Sequence, residues 1–444
     1  MTGVPEGRRR LSDKWGCLMK SVLACVTVFL FVAILEDRSI EAKAQGVSVL
    51  VSLPGPAVLD EWGNRFTLLG ASVPENALRT QIRTTIAQLA MFDAVNAVLD
   101  GPYEPFASKP PSPPGASPEA AAIRAAYIVA LNEFPTKTAT IESTYNASIA
   151  VVPATPGAKA DGIVVGESAA NAVLAARVGD RRNEPDLAGY TPGSGPGVWI
   201  PTPPAFANPQ TPFLQFVTPF GYDDPARFRP HPPPALHSRT YSADYNESKE
   251  LGGATDTSRT AEQSATALFW SPSASALWNA NIRSLASEMD LLTAARFEAI
   301  GFAAVMNSLI AVWDAKFTYM FWRPVTAIQA GDTDGNRKTE ADPAWAPFIT
   351  TPSHPEYPAA HTTVGAGTLA FYTLWFETDQ FPLAFTGNAG AVRHYTSVEE
   401  IHAEEGNARV WGGMHWRNSA EVGAALGRRV GRYTARHLLQ RLDD

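Results

Sequence analysis

From residue 294 to residue 321 the chain runs almost without interruption through apolar side chains, and this stretch constrains the fold more than any other. Its only charges are Arg296, Glu298, Asp314 and Lys316. Strands rarely exceed about ten residues, so a run of this length reads as a helix. A helix apolar on nearly every side must be surrounded, which predicts a central buried helix ringed by others.

Other segments supply the ring. Ile82, Ile86, Leu89, Phe92 and Val95 recur at spacings of three and four, and the pattern stops near Gly101. Ser117-Pro118-Glu119 offers an N-cap, a proline at the first helical position and an early acid, opening an Ala-rich helix that reaches Phe134. Segments 141–150 and 158–178 predict two more helices, and helical pattern resumes near Ser238 and from Arg259. After the central helix, further helices are expected over about 360–376, 397–409 and 418–441. Ser397-Val398-Glu399-Glu400 is a capping box for the second of these. Alternation of period two is confined to 47–51 and 66–69. The expected class is therefore all-α: one or two helical bundles with long Pro/Gly-rich connections. Residues 189–235 are the longest connection. They are too rich in Trp, Phe and Tyr for a free linker, and should wrap over packed helices.

The 444 residues suit two to four compact units or one large helical body. A net charge of -8 argues against a general nucleic-acid binder. The only cysteines, Cys17 and Cys25, lie near the start, which excludes a disulfide framework, a Cys-ligated zinc site and a Cys nucleophile from the body. Arg8, Arg9, Arg10, Lys14 and Lys20 precede an uncharged apolar run over 21–35, and Ala42-Lys43-Ala44 follows as a small-x-small cleavage site. That is the layout of an export signal over residues 1–44, placing the mature chain in the periplasm or outside the cell. The apolar run is shorter than the ~20 residues a membrane span needs, so no stable anchor is expected after cleavage. Losing seven basic and five acidic residues takes the net charge from -8 to -10. The expected division is 1–44 signal, 45–235 helical region with the wrapping connection, and 236–444 helical bundle.

The chemistry gathers in the last third, where six of the eight histidines follow residue 350. Trp313-Asp314-Ala315-Lys316 is followed after six residues by Arg323-Pro324. Continued as one helix, that spacing puts Lys316 and Arg323 on one face about 10 Å apart, with Trp313 beside them. Buried cations are costly without anions, so carboxylates, helix-end carbonyls or a ligand must meet them. Pro352-Ser353-His354-Pro355-Glu356-Tyr357-Pro358-Ala359-Ala360-His361 ends a segment and opens a helix, placing His361 in a first turn where free N–H groups favour anions. Arg409-Val410-Trp411-Gly412-Gly413-Met414-His415 joins two helices through a glycine turn. Together these residues can cradle a tetrahedral oxyanion, with one imidazole attacking or ligating the central atom and the other moving protons. Asp332-Thr333-Asp334-Gly335-Asn336 has its glycine misplaced for a calcium loop and reads as a turn.

The ordered set resembles the vanadium-dependent haloperoxidase and type 2 phosphatidic acid phosphatase superfamily. Its signature is K-x6-R-P, then P-S-G-H, then S-R-x5-H-x3-D. Lys316, Arg323 and Pro324 complete the first element. Pro358-Ala359-Ala360-His361 stands for the second, and Ala408-Arg409, His415 and Ser419 for the third. The resemblance implies that Lys316, Arg323, Arg409 and the Ala360 N–H hold vanadate, or phosphate in the same site. It makes His415 the vanadate ligand or a phosphohistidine nucleophile, and His361 the acid/base. Trp313 and His354 fall at positions lining the halide side, where histidine marks bromoperoxidase types and phenylalanine chloroperoxidase types. The implied activity is oxidation of bromide or iodide by hydrogen peroxide, without heme or zinc. Hydrolysis of a phosphate ester and oxyanion binding without turnover are the alternatives. Among the departures from the signature, Ala359 replaces the hydroxyl donor, Ala360 the glycine, and Ser419 the aspartate that orients the second histidine in phosphatases. The sequence leaves the oligomeric state open.

Overall fold

Thirteen α-helices and one two-stranded sheet form the regular structure of residues 55–255 and 257–442, which the computed structural model describes. The chain is all-α in class, as its periodicity predicts. The first five helices are α1 (Ala57–Ala71), α2 (Ala77–Val98), α3 (Pro118–Glu133), α4 (Thr138–Val151) and α5 (Pro156–Ala176). After the long connection come α6 (Arg239–Leu251), α7 (Ala261–Phe269), α8 (Ala274–Ala286), α9 (Leu291–Tyr319) and the short α10 (Pro324–Gln329). The last three are α11 (Ala360–Phe376), α12 (Val398–Trp411) and α13 (Arg417–His437). The export signal and the 47–51 alternation lie outside the described residues.

Helix α9 is the central element. The Asp290 side chain caps it by accepting the Thr293 N–H at 3.0 Å. Its side chains are buried on all sides, against α2 on one flank and α8, α11 and α13 on the others. Its end is abrupt: Met320 turns left-handed, with φ 45°, and the chain leaves the helix axis. The predicted caps are present. Ser117 accepts from Ala120, and Ser397 and Glu400 form the capping box of α12; Asn76, which the sequence reading did not single out, caps α2 by accepting from Leu78.

Residues 189–235 wrap over α9 and are pinned along its length. Asn307 receives the Phe220 N–H and donates to the Phe220 carbonyl. Arg229 forks onto Asp314 at 2.5 and 2.7 Å, and Tyr319 donates to the Pro230 carbonyl at 2.5 Å. Buried Trp199, Phe213, Leu214 and Phe220 explain why so aromatic a connection is no free linker.

Two readings of the sequence need correction. Residues 66–69 lie inside α1, where Phe66 and Leu69 share one buried helix face. A hairpin appears instead at β1 (Gln380–Thr386) and β2 (Val392–Ser397), antiparallel with Leu383 opposite Tyr395. Phe381, Leu383 and Phe385 alternate into the core, but Pro382 interrupts the short pattern. The Asp334 carboxylate accepts from Asn336 N–H and the Thr339 hydroxyl, which makes 332–336 a turn.

Candidate active site

Four segments meet beside the end of α9. The last turns of α9 bring Trp313 and Lys316, and the chain beyond Met320 brings Arg323. Segment 352–358 and the start of α11 bring His354, Glu356, Ala359, Ala360 and His361. The last turn of α12 and the following turn bring Arg409 and His415. Lys316 and Arg323 therefore do not share a helix face, contrary to the spacing argument. They converge because the chain reverses at Met320, leaving Arg323 as the N-cap of α10. Gly413 makes the other turn, with φ 73° and no room for a Cβ, which would overlap the Gly252 carbonyl.

Lys316, Arg323, Arg409 and His415 are all 1% exposed or less. The Lys316 ammonium donates to the Pro355 and Glu356 carbonyls, each at 2.8 Å. Arg323 donates from Nε to the His354 carbonyl at 2.9 Å and from Nη1 to the Met414 carbonyl at 2.8 Å. The same Nη1 lies 3.1 Å from His415 Nε2, and Nη2 lies 2.9 Å from His354 Nδ1. A guanidinium only donates, so both ring nitrogens accept. The other His415 nitrogen, Nδ1, lies 2.7 Å from Glu356 Oε1. Arg409 donates to the Trp270 carbonyl at 3.0 Å and faces the Met414 sulfur at 3.3 Å, while its buried Nε–H has no partner among the described residues. His361 donates from Nε2 to the Pro272 carbonyl at 2.8 Å, which leaves Nδ1 as its basic atom. Trp313 lies against His354 with ring centroids 5.0 Å apart, and its Nε1–H is tied to the Gln210 carbonyl of the wrapping segment.

The charges are poorly balanced. Burial, and then the neighbouring Arg323, push Lys316 well below the usual lysine range. Burial lowers Arg323 to about 10, and burial with Arg323 nearby lowers Arg409 to about 9. Burial and then Arg323 hold His354 and His415 well below the ordinary histidine value, so both rings are neutral. Burial and then Arg409 do the same to His361. Two buried carboxyls oppose this: burial raises Glu356 to about 7 and Glu405, one turn before Arg409, to about 8. A small oxyanion is what three crowded cations lack. The orphaned Arg409 Nε–H and the α11 N-terminus, which no side chain caps, are further donors for it. The donor set therefore fits vanadate or phosphate.

Residues 296–444 match the VCPO second helical-bundle domain, a span that includes all three sequence fragments. The chain is also 25% identical over 306 residues to the vanadium chloroperoxidase of Curvularia inaequalis, covering 51% of this chain and 50% of that protein. Over residues 296–444 this chain is similar to the vanadium haloperoxidases. It spans about half the length of that relative. Among solved structures, a bacterial vanadium-dependent iodoperoxidase shares the fold with a TM-score of 0.74 at 23% identity, over 89% of this chain and 99% of that one. A holo-type bacterial vanadium-dependent chloroperoxidase does so with a TM-score of 0.63 at 18% identity, over 88% and 94%.

Against the superfamily signature, the structure brings Lys316, Arg323, Arg409, His415, His354 and Trp313 into one cluster, with Ala360 and His361 at its edge on α11. The missing hydroxyl is real: Ala359 is the N-cap of α11 and gives it no side-chain bond. The orienting carboxylate is present but comes from elsewhere. Ser419, at the aspartate position of the signature, is buried beside the Glu356 carboxyl, and it is Glu356 that occupies His415 Nδ1. Sequence reasoning missed Glu356, although an acid between prolines in an apolar segment was a signal that something must pair it.

Proposed function

We propose that this chain is a vanadate-dependent haloperoxidase that uses hydrogen peroxide to oxidise halide. The observation that carries the reading is the gathering of three buried cations, Lys316, Arg323 and Arg409, around His415, whose unprotonated Nε2 accepts from Arg323. Lys316, Arg323 and Arg409 would hold the oxyanion oxygens, and His415 Nε2 would ligate the vanadium. Bound vanadate supplies a Lewis-acid centre that activates peroxide toward halide with no change in its own oxidation state. His361, kept neutral and fixed through Nε2 by the Pro272 carbonyl, takes and returns the peroxide proton at Nδ1. Trp313, tied to Gln210 of the wrapping segment, packs against His354 and shields that side of the cradle. His354, where chloroperoxidase types carry phenylalanine, supports bromide or iodide over chloride. Residues 1–44 support export.

The Glu356–His415 pair favours a second reading, hydrolysis of a phosphate ester, because a carboxylate on Nδ1 makes Nε2 the better nucleophile. One experiment separates the two. The purified protein is loaded with orthovanadate and assayed for peroxide-dependent bromination and iodination of a phenolic dye. The vanadate-free protein is assayed on an aryl phosphate. We expect halogenation with vanadate only, abolished in His415→Ala, and iodide and bromide turned over faster than chloride. Bound vanadate without halogenation would overturn the haloperoxidase reading.

A further inference from the structure

We propose that Glu356 is the positioning residue of His415: it holds the Nδ1–H and keeps the Nε2 lone pair turned into the cation cradle. This deepens the proposed function and rests on its reading of His415 as the vanadate ligand. Glu356 Oε1 lies 2.7 Å from His415 Nδ1 and accepts the Trp416 N–H at 3.0 Å, so ring and backbone of the turn are gripped by one oxygen. Across the ring, Arg323 Nη1 stands 3.1 Å from Nε2 and can only donate. The proton of the neutral ring therefore lies between Nδ1 and the carboxylate. Glu356 is 0% exposed and His415 1%, so bulk water cannot stand in as the acceptor.

Glu356 is itself fixed by the elements that build the cradle. Its N–H donates to the Phe321 carbonyl at 2.9 Å, and its carbonyl receives the Lys316 ammonium at 2.8 Å. One residue thus ties the end of α9, the chain before Arg323 and the glycine turn to one another. A ligand bonded to Nε2 gains from a strong acceptor at Nδ1, as ligating imidazoles do when a carboxylate orients them. An anion held by charge and hydrogen bonds alone gains nothing and is repelled by the extra negative charge. The Glu356 side chain therefore favours vanadate, which takes nitrogen ligands, over phosphate.

The test compares the full chain with Glu356→Gln, which is nearly isosteric, and Glu356→Leu. Dissociation constants for orthovanadate and for inorganic phosphate are measured by equilibrium dialysis, with thermal unfolding run on each variant. The imidazole Nδ1–H of His415, assigned by its loss in His415→Ala, is followed by proton NMR in the ligand-free protein. We expect vanadate affinity to fall about 10- to 100-fold while phosphate affinity holds or rises, and the downfield Nδ1–H resonance to move upfield in Glu356→Gln. Loss of both affinities by the same factor marks a merely structural role and overturns the proposal, as does an Nδ1–H resonance unmoved in Glu356→Gln. If wild type and His415→Ala bind vanadate equally while the resonance moves as expected, the proposed function fails and the grip of Glu356 on His415 stands.

Discussion

Ala359, fully buried at the start of α11, carries a methyl group where the superfamily signature has a hydroxyl. The cations remain, but one oxyanion donor and the cap of α11 are absent together. Ala359→Ser should restore both. A hydrogen bond to a charged group contributes about 1.5–3 kcal/mol, so vanadate should bind roughly 10- to 100-fold tighter, read by vanadate titration. Unchanged affinity would mean that residue 359 does not face the anion. At this scale the sequence was informative where types and spacings suffice, as for Lys316, Arg323, Arg409, His361 and His415. It was silent on Glu356, whose partner lies 59 residues away in the chain. No local pattern links an acid in a proline-rich segment to a histidine beyond a distant turn.

At the scale of elements, the site depends on how closely α11 approaches α13. A Cβ added at Gly427 would overlap the Thr363 carbonyl, and one at Gly431 the Gly367 carbonyl. The glycines let the two backbones touch, and α11 carries His361 at its start. Gly431→Ala should push the helices apart and cost about 1–3 kcal/mol, measured by urea unfolding. Weaker anion binding should accompany the loss, because the α11 N-terminus moves with the helix. The long periodic helices were legible because their apolar faces repeat over several turns. Helix α1 was not, since Gly63 and Gly70 dilute its pattern, and the hairpin was too short to show. The placement of Lys316 and Arg323 on one face failed because periodicity carries no notice of the left-handed turn at Met320.

In the whole molecule, two buried carboxyls make stability depend on pH. Burial raises both Glu298 and Glu405 to about 8, from an ordinary 4.5. Between those values the folded chain keeps a proton on each that the unfolded chain has released. Their contribution is full below the ordinary value and is lost as pH rises toward 8, by about 1.4 kcal/mol per pH unit for each group. Above the ordinary histidine value, where the buried neutral histidines no longer titrate, urea unfolding should show lower stability at pH 8 than at pH 7, and Glu298→Gln should flatten that dependence. The sequence by itself determined the helical class, the central apolar helix and the residue types of an oxyanion cradle, because these follow from local periodicity and ordered spacing. Only the tertiary structure decided which groups meet: that Arg323 turns back toward Lys316, that Glu356 rather than Ser419 holds His415, and that Arg409 keeps an unmet donor. Those pairings depend on angles at chain reversals and on contacts between distant segments, which no local pattern encodes.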